Sequence, residues 1–103
     1  MSFIAIYITY DSEESARMIS HHLVEKRLVA CYNIFPISSA YWWQGAIQND
    51  NEFVAIVKTT PGLWEKVKEE VEAKHPYEVP CIMKIEVEAN KGYEEWIQKM
   101  VVE

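Results

Sequence analysis

The chain is poor in glycine, cysteine and positive charge, and each shortage closes off a class of function. The only glycines are Gly45, Gly62 and Gly92, so no glycine-rich loop exists to cradle a phosphate chain. Two cysteines, Cys31 and Cys81, supply neither a disulfide framework nor a CxxC metal pair. A reduced, cytoplasmic setting is therefore expected. Ten Lys and Arg stand against 16 Asp and Glu, a net charge of −6. That balance argues against nucleic-acid backbones and anionic lipid surfaces as partners. No apolar run is long enough to span a bilayer. The N-terminus passes from Ser2 straight into FIAIYI, without a basic region or a small-residue cleavage site, so secretion is not expected.

What is present is a chain of 103 residues that is half apolar, read as one domain over residues 1–103 with a single core. Phe3–Tyr10 is apolar at both parities, as a buried strand is. Asp11 followed by Glu14 resembles a capping box, and Ala16, Ile19 and Leu23 mark the inward stripe of a helix ending near Arg27. Val29–Gln48 reads as extended. Asn49-Asp50-Asn51 reads as a hairpin turn, and Phe53–Thr59 as the returning strand. Thr60-Pro61 places an N-cap before an N1 proline, ahead of a helix lined by Leu63, Trp64, Val67 and Val71. Cys81, Met83, Ile85 and Val87 alternate with Lys84, Glu86 and Glu88, which predicts a strand with its cysteine parity turned inward. Gly92 opens a third helix, with Tyr93, Trp96, Ile97, Met100 and Val101 at helical spacing. The order strand, helix, strand, strand, helix, strand predicts an α+β class, a ferredoxin-like βαββαβ sandwich. It has an antiparallel sheet and an extra C-terminal helix.

Two segments stand out. Fully extended, residues 29–48 would run roughly 65 Å at about 3.3 Å per residue, against a diameter of about 35 Å for a domain of this size. The stretch must bend, at Pro36 or Gly45, or leave the domain and pair with another subunit. Its Tyr41, Trp42 and Trp43 are residue types favoured at interface centres; the alternative is a local hairpin turning at Ser38-Ser39. The second segment is His75-Pro76-Tyr77-Glu78-Val79-Pro80. Both residues that precede a proline are pushed away from the helical region, so a stiff extended corner carries His, Tyr and Glu.

These strings, taken together, resemble the CutA family of divalent-cation tolerance proteins. The matching residues are Ala30-Cys31 with Asn33, Tyr41-Trp42-Trp43 with Gly45 and Ile47, then Asp50 and Glu52. Lys58-Thr59, His75-Pro76-Tyr77 with Pro80, and Tyr93 with Trp96 complete the set. The resemblance covers almost the whole chain. It implies a tight homotrimer, similar in architecture to the PII signalling proteins, with Tyr77 as well as the tryptophan hairpin at the interface. It also implies copper and other divalent metals as ligands, with no obligatory cofactor. Family members that carry a Cys late in the first strand and a second His before the HPY histidine have a soft-ligand cluster; here Ile8 and Lys74 stand at those places.

The candidate metal ligands are accordingly His75, Glu78, Asp50, Glu52 and Cys31, since imidazole and carboxylate suit Cu(II) or Zn(II). His75 alone is not a site, and as a bland alternative it caps the preceding helix. Cys31 and Cys81 read equally as small buried hydrophobes, and His21 and His22 as solvated helix residues. An enzyme is not expected. No GxSxG serine or HExxH occurs, and Arg17 and Arg27 fall in the first helix, away from any strand-to-helix loop that could hold phosphate. An RNA-binding sheet of this topology would need a basic field. Two functions remain in view: a divalent-cation (copper-type) binding and tolerance protein acting as a homotrimer, or a trimeric PII-like module that takes a small ligand or a protein partner.

Overall fold

The computed structural model describes residues 3–103; Ser2, where the reading of the N-terminal leader starts, lies outside them. In chain order the elements are β1 (Phe3–Tyr10), α1 (Glu13–Glu25), β2 (Cys31–Trp43), β3 (Ala46–Thr59), α2 (Trp64–Lys74), β4 (Ile82–Val87) and α3 (Lys91–Met100). The strands form one sheet in the order β2-β3-β1-β4, and every neighbouring pair is antiparallel. β1–α1–β2 skips over β3, and β3–α2–β4 skips over β1. Two crossovers of the same hand bring both helices to one face. The fold is the ferredoxin-like α+β arrangement with a third helix added.

Alternation decides what that face holds. Ile4, Ile6, Ile8 and Tyr10 of β1 pack with Ala55 and Val57 of β3 against Ala16, Ile19 and Leu23 of α1 and Val67 and Val71 of α2. Ile6 and Ile8 are fully buried, where truncation to Ala typically costs about 2–5 kcal/mol. α1 begins differently from the capping box expected at Asp11: Ser12 is the N-cap, its Oγ accepting from Ser15 N at 3.1 Å. Glu13 and Glu14 then sit in the first turn, where the helix dipole favours them.

The turn is the main correction. Asn49, Asp50 and Asn51 lie inside β3, opposite Ala40, Ser39 and Ser38, and the chain reverses at Gln44-Gly45. Both turn residues have positive φ, 48° and 81°, as a two-residue type I′ hairpin requires. The extended stretch therefore breaks at Gly45, one of the two places its length suggested, and not at Ser38-Ser39. β1 pairs with β3 only between Phe53 and Thr59, whereas β2 and β3 stay paired out to Trp43 and Ala46. The outer hairpin, beyond Ile37 and Glu52, has no third strand in the sheet. It stretches the molecule to 45 × 24 × 20 Å.

A second correction concerns β4. Ile8 pairs with Ile82, so Ile82 joins the core while Met83 and Ile85 face the opposite side, each about half exposed. Lys84 and Glu86 lie on the helix face but at its uncovered margin, where Lys84 Nζ sits 5.5 Å from the Trp64 ring centre. β4 is an edge strand, and its wet parity is set by where the helices stop rather than by which side they cover.

Glycine substitution separates the turn from the helices. Adding a Cβ at Gly45 or at Gly92 meets nothing within 4 Å, but only Gly45 has positive φ. Gly45→Ala is expected to lower stability by about 1 kcal/mol through backbone strain alone, and Gly92→Ala in α3 to raise it by up to about 1 kcal/mol. Denaturant melts of both variants check this; a Gly45→Ala variant as stable as the parent contradicts the type I′ turn.

Candidate functional site

The stiff corner after α2 is tied to the sheet by its histidine. His75 ends the helix in an extended conformation, its N–H donating to Val71 O at 2.8 Å. The ring stacks on Tyr10 with centres 4.6 Å apart. Nε2 donates to Thr9 O at 2.7 Å, which leaves Nδ1 as the acceptor for Tyr77 N–H at 3.0 Å. Both ring nitrogens are thus in use and the residue is buried. Burial pushes the His75 pKa below the ordinary imidazole value, with the Thr9 carbonyl working in the opposite direction. Thr9 and Tyr10 did not stand out in the sequence; the available signal was a polar-tipped aromatic at the end of a strand that leads to a helix.

Tyr77 and the hairpin carry the carboxylates. Tyr77 Oη donates to Glu52, which is itself buried. Burial first, then that bond, pushes the phenol pKa well above its usual value. Tyr41 pairs with Gln48 across the hairpin, which puts Asp50 diagonally beside its ring. Its hydroxyl donates to Asp50, and this bond pushes the Tyr41 pKa up to about 12. Asp50 is held low in return, by Tyr41 first and then by Gln48 Nε2 at 3.3 Å. Tyr41, Trp43, Tyr77, Glu78 and Val79 line a cleft of about 320 Å³ between the hairpin and the corner.

Of the predicted ligands, His75, Glu52, Asp50 and Glu78 fall in this one region. Cys31 does not. It is six residues up β2 from the partner of Glu52, about 20 Å away along the strand, and its Sγ lies 3.5 Å from Tyr93 Oη. Cys81 is half-buried; burial, then the charge of Glu52, raises its thiol pKa and keeps it protonated. Among the described residues no group of three or more His, Cys, Asp or Glu is close enough to hold a metal ion. The five-residue ligand set is therefore not assembled within one chain. His22, read as solvated, instead pairs with Glu70 of α2 at 2.8 Å.

The hairpin residues expected at an interface are open in the single chain: Trp42 is 74% exposed and Trp43 58%. The sequence also gave no warning that Cys31, Asn33, Lys58 and Tyr93 converge. Strand parity puts the first three on one sheet face, but only the register brings them together.

The family model described as "CutA1 divalent ion tolerance protein" matches residues 4–100. The divalent-cation tolerance protein CutA of Archaeoglobus fulgidus is 46% identical over 97 residues, covering 93% of this chain and 95% of that protein. The crystal structure of CutA1 from Pyrococcus horikoshii superposes with a TM-score of 0.94 at 38% identity, covering 97% of this chain and 99% of that one. CutA1 from Oryza sativa gives 0.95 at 33% identity, covering 100% and 96%.

The His75 geometry predicts an acid-labile fold. A histidine whose folded pKa lies below its unfolded value of about 6.5 stabilises the fold fully above that value. That contribution is lost as pH falls from about 6.5 through the lowered folded pKa, because the unfolded chain binds the proton first. Urea denaturation of the metal-free protein at pH 7.5, 6.5 and 5.5 should show stability falling over the last step, and less steeply in His75→Gln. An unchanged slope in that variant assigns the acid sensitivity to other groups.

Proposed function

The chain belongs to the CutA1 divalent ion tolerance family, and from that premise we propose that it acts as a homotrimer binding divalent cations, copper among them, at sites completed between subunits. The observation that carries the assembly is the outer hairpin. Two strands alone are marginal in water, and this pair exposes Trp42 and Ile47 on one face and Tyr41 and Trp43 on the other. Met83 and Ile85 add apolar surface on the sheet face that α1 and α2 leave open. A patch of this kind marks an interface, and a closed ring of three like subunits covers it without leaving an edge.

The metal reading draws on the carboxylates. Glu78 lines the cleft, Asp50 and Glu52 accept from the Tyr41 and Tyr77 hydroxyls of its wall, and His75 lies behind Tyr77. Among the described residues one chain falls short of a complete ligand set, so the proposed site takes its remaining ligands from a neighbour. His75 joins only by giving up the Tyr77 N–H. A set of carboxylates and imidazole favours Cu(II) or Zn(II) over Mg(II). The role is binding rather than catalysis, and two free cysteines suit the reducing cytoplasm. A second reading, a PII-like trimeric module with a small ligand in each cleft and incidental metal binding, is favoured by one observation: about 320 Å³ is far more room than a single ion needs.

Light scattering at micromolar concentration should give three times the 12.1 kDa chain mass. A monomer overturns the assembly. The Trp42→Ala/Trp43→Ala double variant should lose the trimer before it loses secondary structure, since a buried Trp truncated to Ala costs about 3–5 kcal/mol.

Cu(II) titration at pH 7.4 should saturate and weaken by about tenfold or more in Asp50→Asn/Glu78→Gln, a loss of about 1.4 kcal/mol or more. A Cu(II) affinity indifferent to those carboxylates moves the metal elsewhere and favours the small-ligand reading.

A further inference from the structure

At the far end of the open sheet face from the cleft, three elements bring polar groups to one point. Lys58 lies on β3, hydrogen-bonded on both sides, paired with Ala5 of β1 and Cys31 of β2. Its Nζ donates to Asn33 Oδ1 and to Tyr93 Oη, both at 3.2 Å, and it sits 5.4 Å from the centre of the Tyr93 ring. Cys31 Sγ touches the same phenol at 3.5 Å. Phe3 packs edge-on against Tyr93 at 5.8 Å, and Trp96 stacks on its other side at 5.7 Å. The ammonium is therefore positioned by a strand, a neighbouring strand and a helix.

Its charge is not neutralised. Among the described residues no carboxylate lies within ion-pair distance of Lys58. The other half-buried lysine, Lys68, has Glu65 at 2.9 Å. The two neutral acceptors leave the third N–H of this half-buried ammonium open to an anion. The donors left over point to what would complete its shell. An ammonium has three N–H bonds and two are used here, and the exposed Asn33 amide has two of its own once its oxygen accepts from Lys58. Burial, ahead of the Cys31 contact, raises the Tyr93 pKa and keeps it a protonated phenol. Every group at the point is a donor or neutral, on a chain of net charge −6.

We propose that Lys58 and Asn33, backed by Tyr93 and Cys31, form a binding site for a small oxyanion, the carboxylate or phosphate group of a low-molecular-weight ligand. Two oxygens of such a group bridge Lys58 Nζ and Asn33 Nδ2, and the Tyr93–Trp96 stack offers a flat apolar surface to the rest of the ligand. Trp96 is 40% exposed beside it. The site shares no residue with the cleft at Tyr41 and Tyr77, so it stands whether or not the metal reading does.

The test uses the full-length assembled protein and inorganic phosphate as the probe. Titration followed by amide NMR should give saturable shifts at the Asn33 side-chain amide and at the backbone of Cys31 and Lys58. Lys58→Met should weaken binding by about tenfold or more, and Lys58→Arg, which keeps the charge, by only a few-fold. If Lys58→Met does not fold, Asn33→Leu should show the loss instead. No saturable shift at these residues, or one that survives both Lys58→Met and Asn33→Leu, overturns the proposal. So does a Lys58→Met variant that loses oligomeric mass while the parent ignores phosphate, since the anion is then a carboxylate of a second copy.

Discussion

Register governs this molecule. β1 ends its pairing with β3 at Phe53, while β2 and β3 continue together to a turn at Gln44-Gly45. Everything beyond Ile37 and Glu52 is consequently a two-stranded arm without a sheet behind it. The arm sets the 45 Å length of the molecule and holds its most exposed tryptophans. It also carries Tyr41 to the wall of the cleft, with Asp50 bonded to its hydroxyl. Had the turn fallen at Asn49-Asp50-Asn51, those aromatics would have joined a single long strand and the carboxylates would have sat in a loop. Starting the turn five residues earlier, at Gln44 and not Asn49, makes Asp50 and Glu52 strand residues on one face, each in reach of a tyrosine.

The second organising contact is His75. It connects the C-terminal end of α2 to the last residues of β1 through the Thr9 carbonyl, and it sets the direction of the corner through Tyr77 N–H. Tyr77 then reaches Glu52 on β3. One imidazole and one phenol thereby link helix, central strand and hairpin base. This explains why a neutral ring is favoured: a proton on Nδ1 would confront the Tyr77 N–H. A histidine used in this way is a poor free ligand, so the proposed metal site rests more on Glu78, Asp50 and Glu52 than on the imidazole.

Much of the fold was legible because periodicity reports burial directly. The isoleucines of the FIAIYI run, the Ala16–Ile19–Leu23 stripe and the Val67–Val71 pair enter the core as read, while Ala5 and Tyr7 are half-buried on the other face. The misreadings have physical causes. Asn49-Asp50-Asn51 has turn chemistry, but Gln44-Gly45 supplies the two consecutive positive-φ residues of a type I′ turn, the glycine without a steric penalty. β4 misled because alternation shows that two faces differ, not which one the helices cover. At the corner, the proline after His75 foretold the extended backbone that the structure shows there. Sequence spacing could not show that Cys31 sits at the other end of the sheet from His75, because that separation exists only in the strand register. The convergence of Lys58, Asn33 and Tyr93 was hidden for the same reason.

Along β3 the residues facing the open side are Asp50, Glu52, Val54, Ile56 and Lys58. The row runs from two carboxylates through two apolar side chains to an ammonium, about 20 Å from Glu52 to Lys58 at strand spacing. At that distance, beyond a Debye length of about 8 Å in physiological salt, the ends are screened from each other. Each can meet its own counter-charge: cations at the hairpin end, an oxyanion at the end covered by α3. The apolar middle, continued sideways by Met83 and Ile85 of β4 and by Phe35 and Ile37 of β2, is the part that a second copy can cover without burying a charge. A single strand parity thus sets carboxylates at one end of the open face, an ammonium at the other and apolar side chains between them.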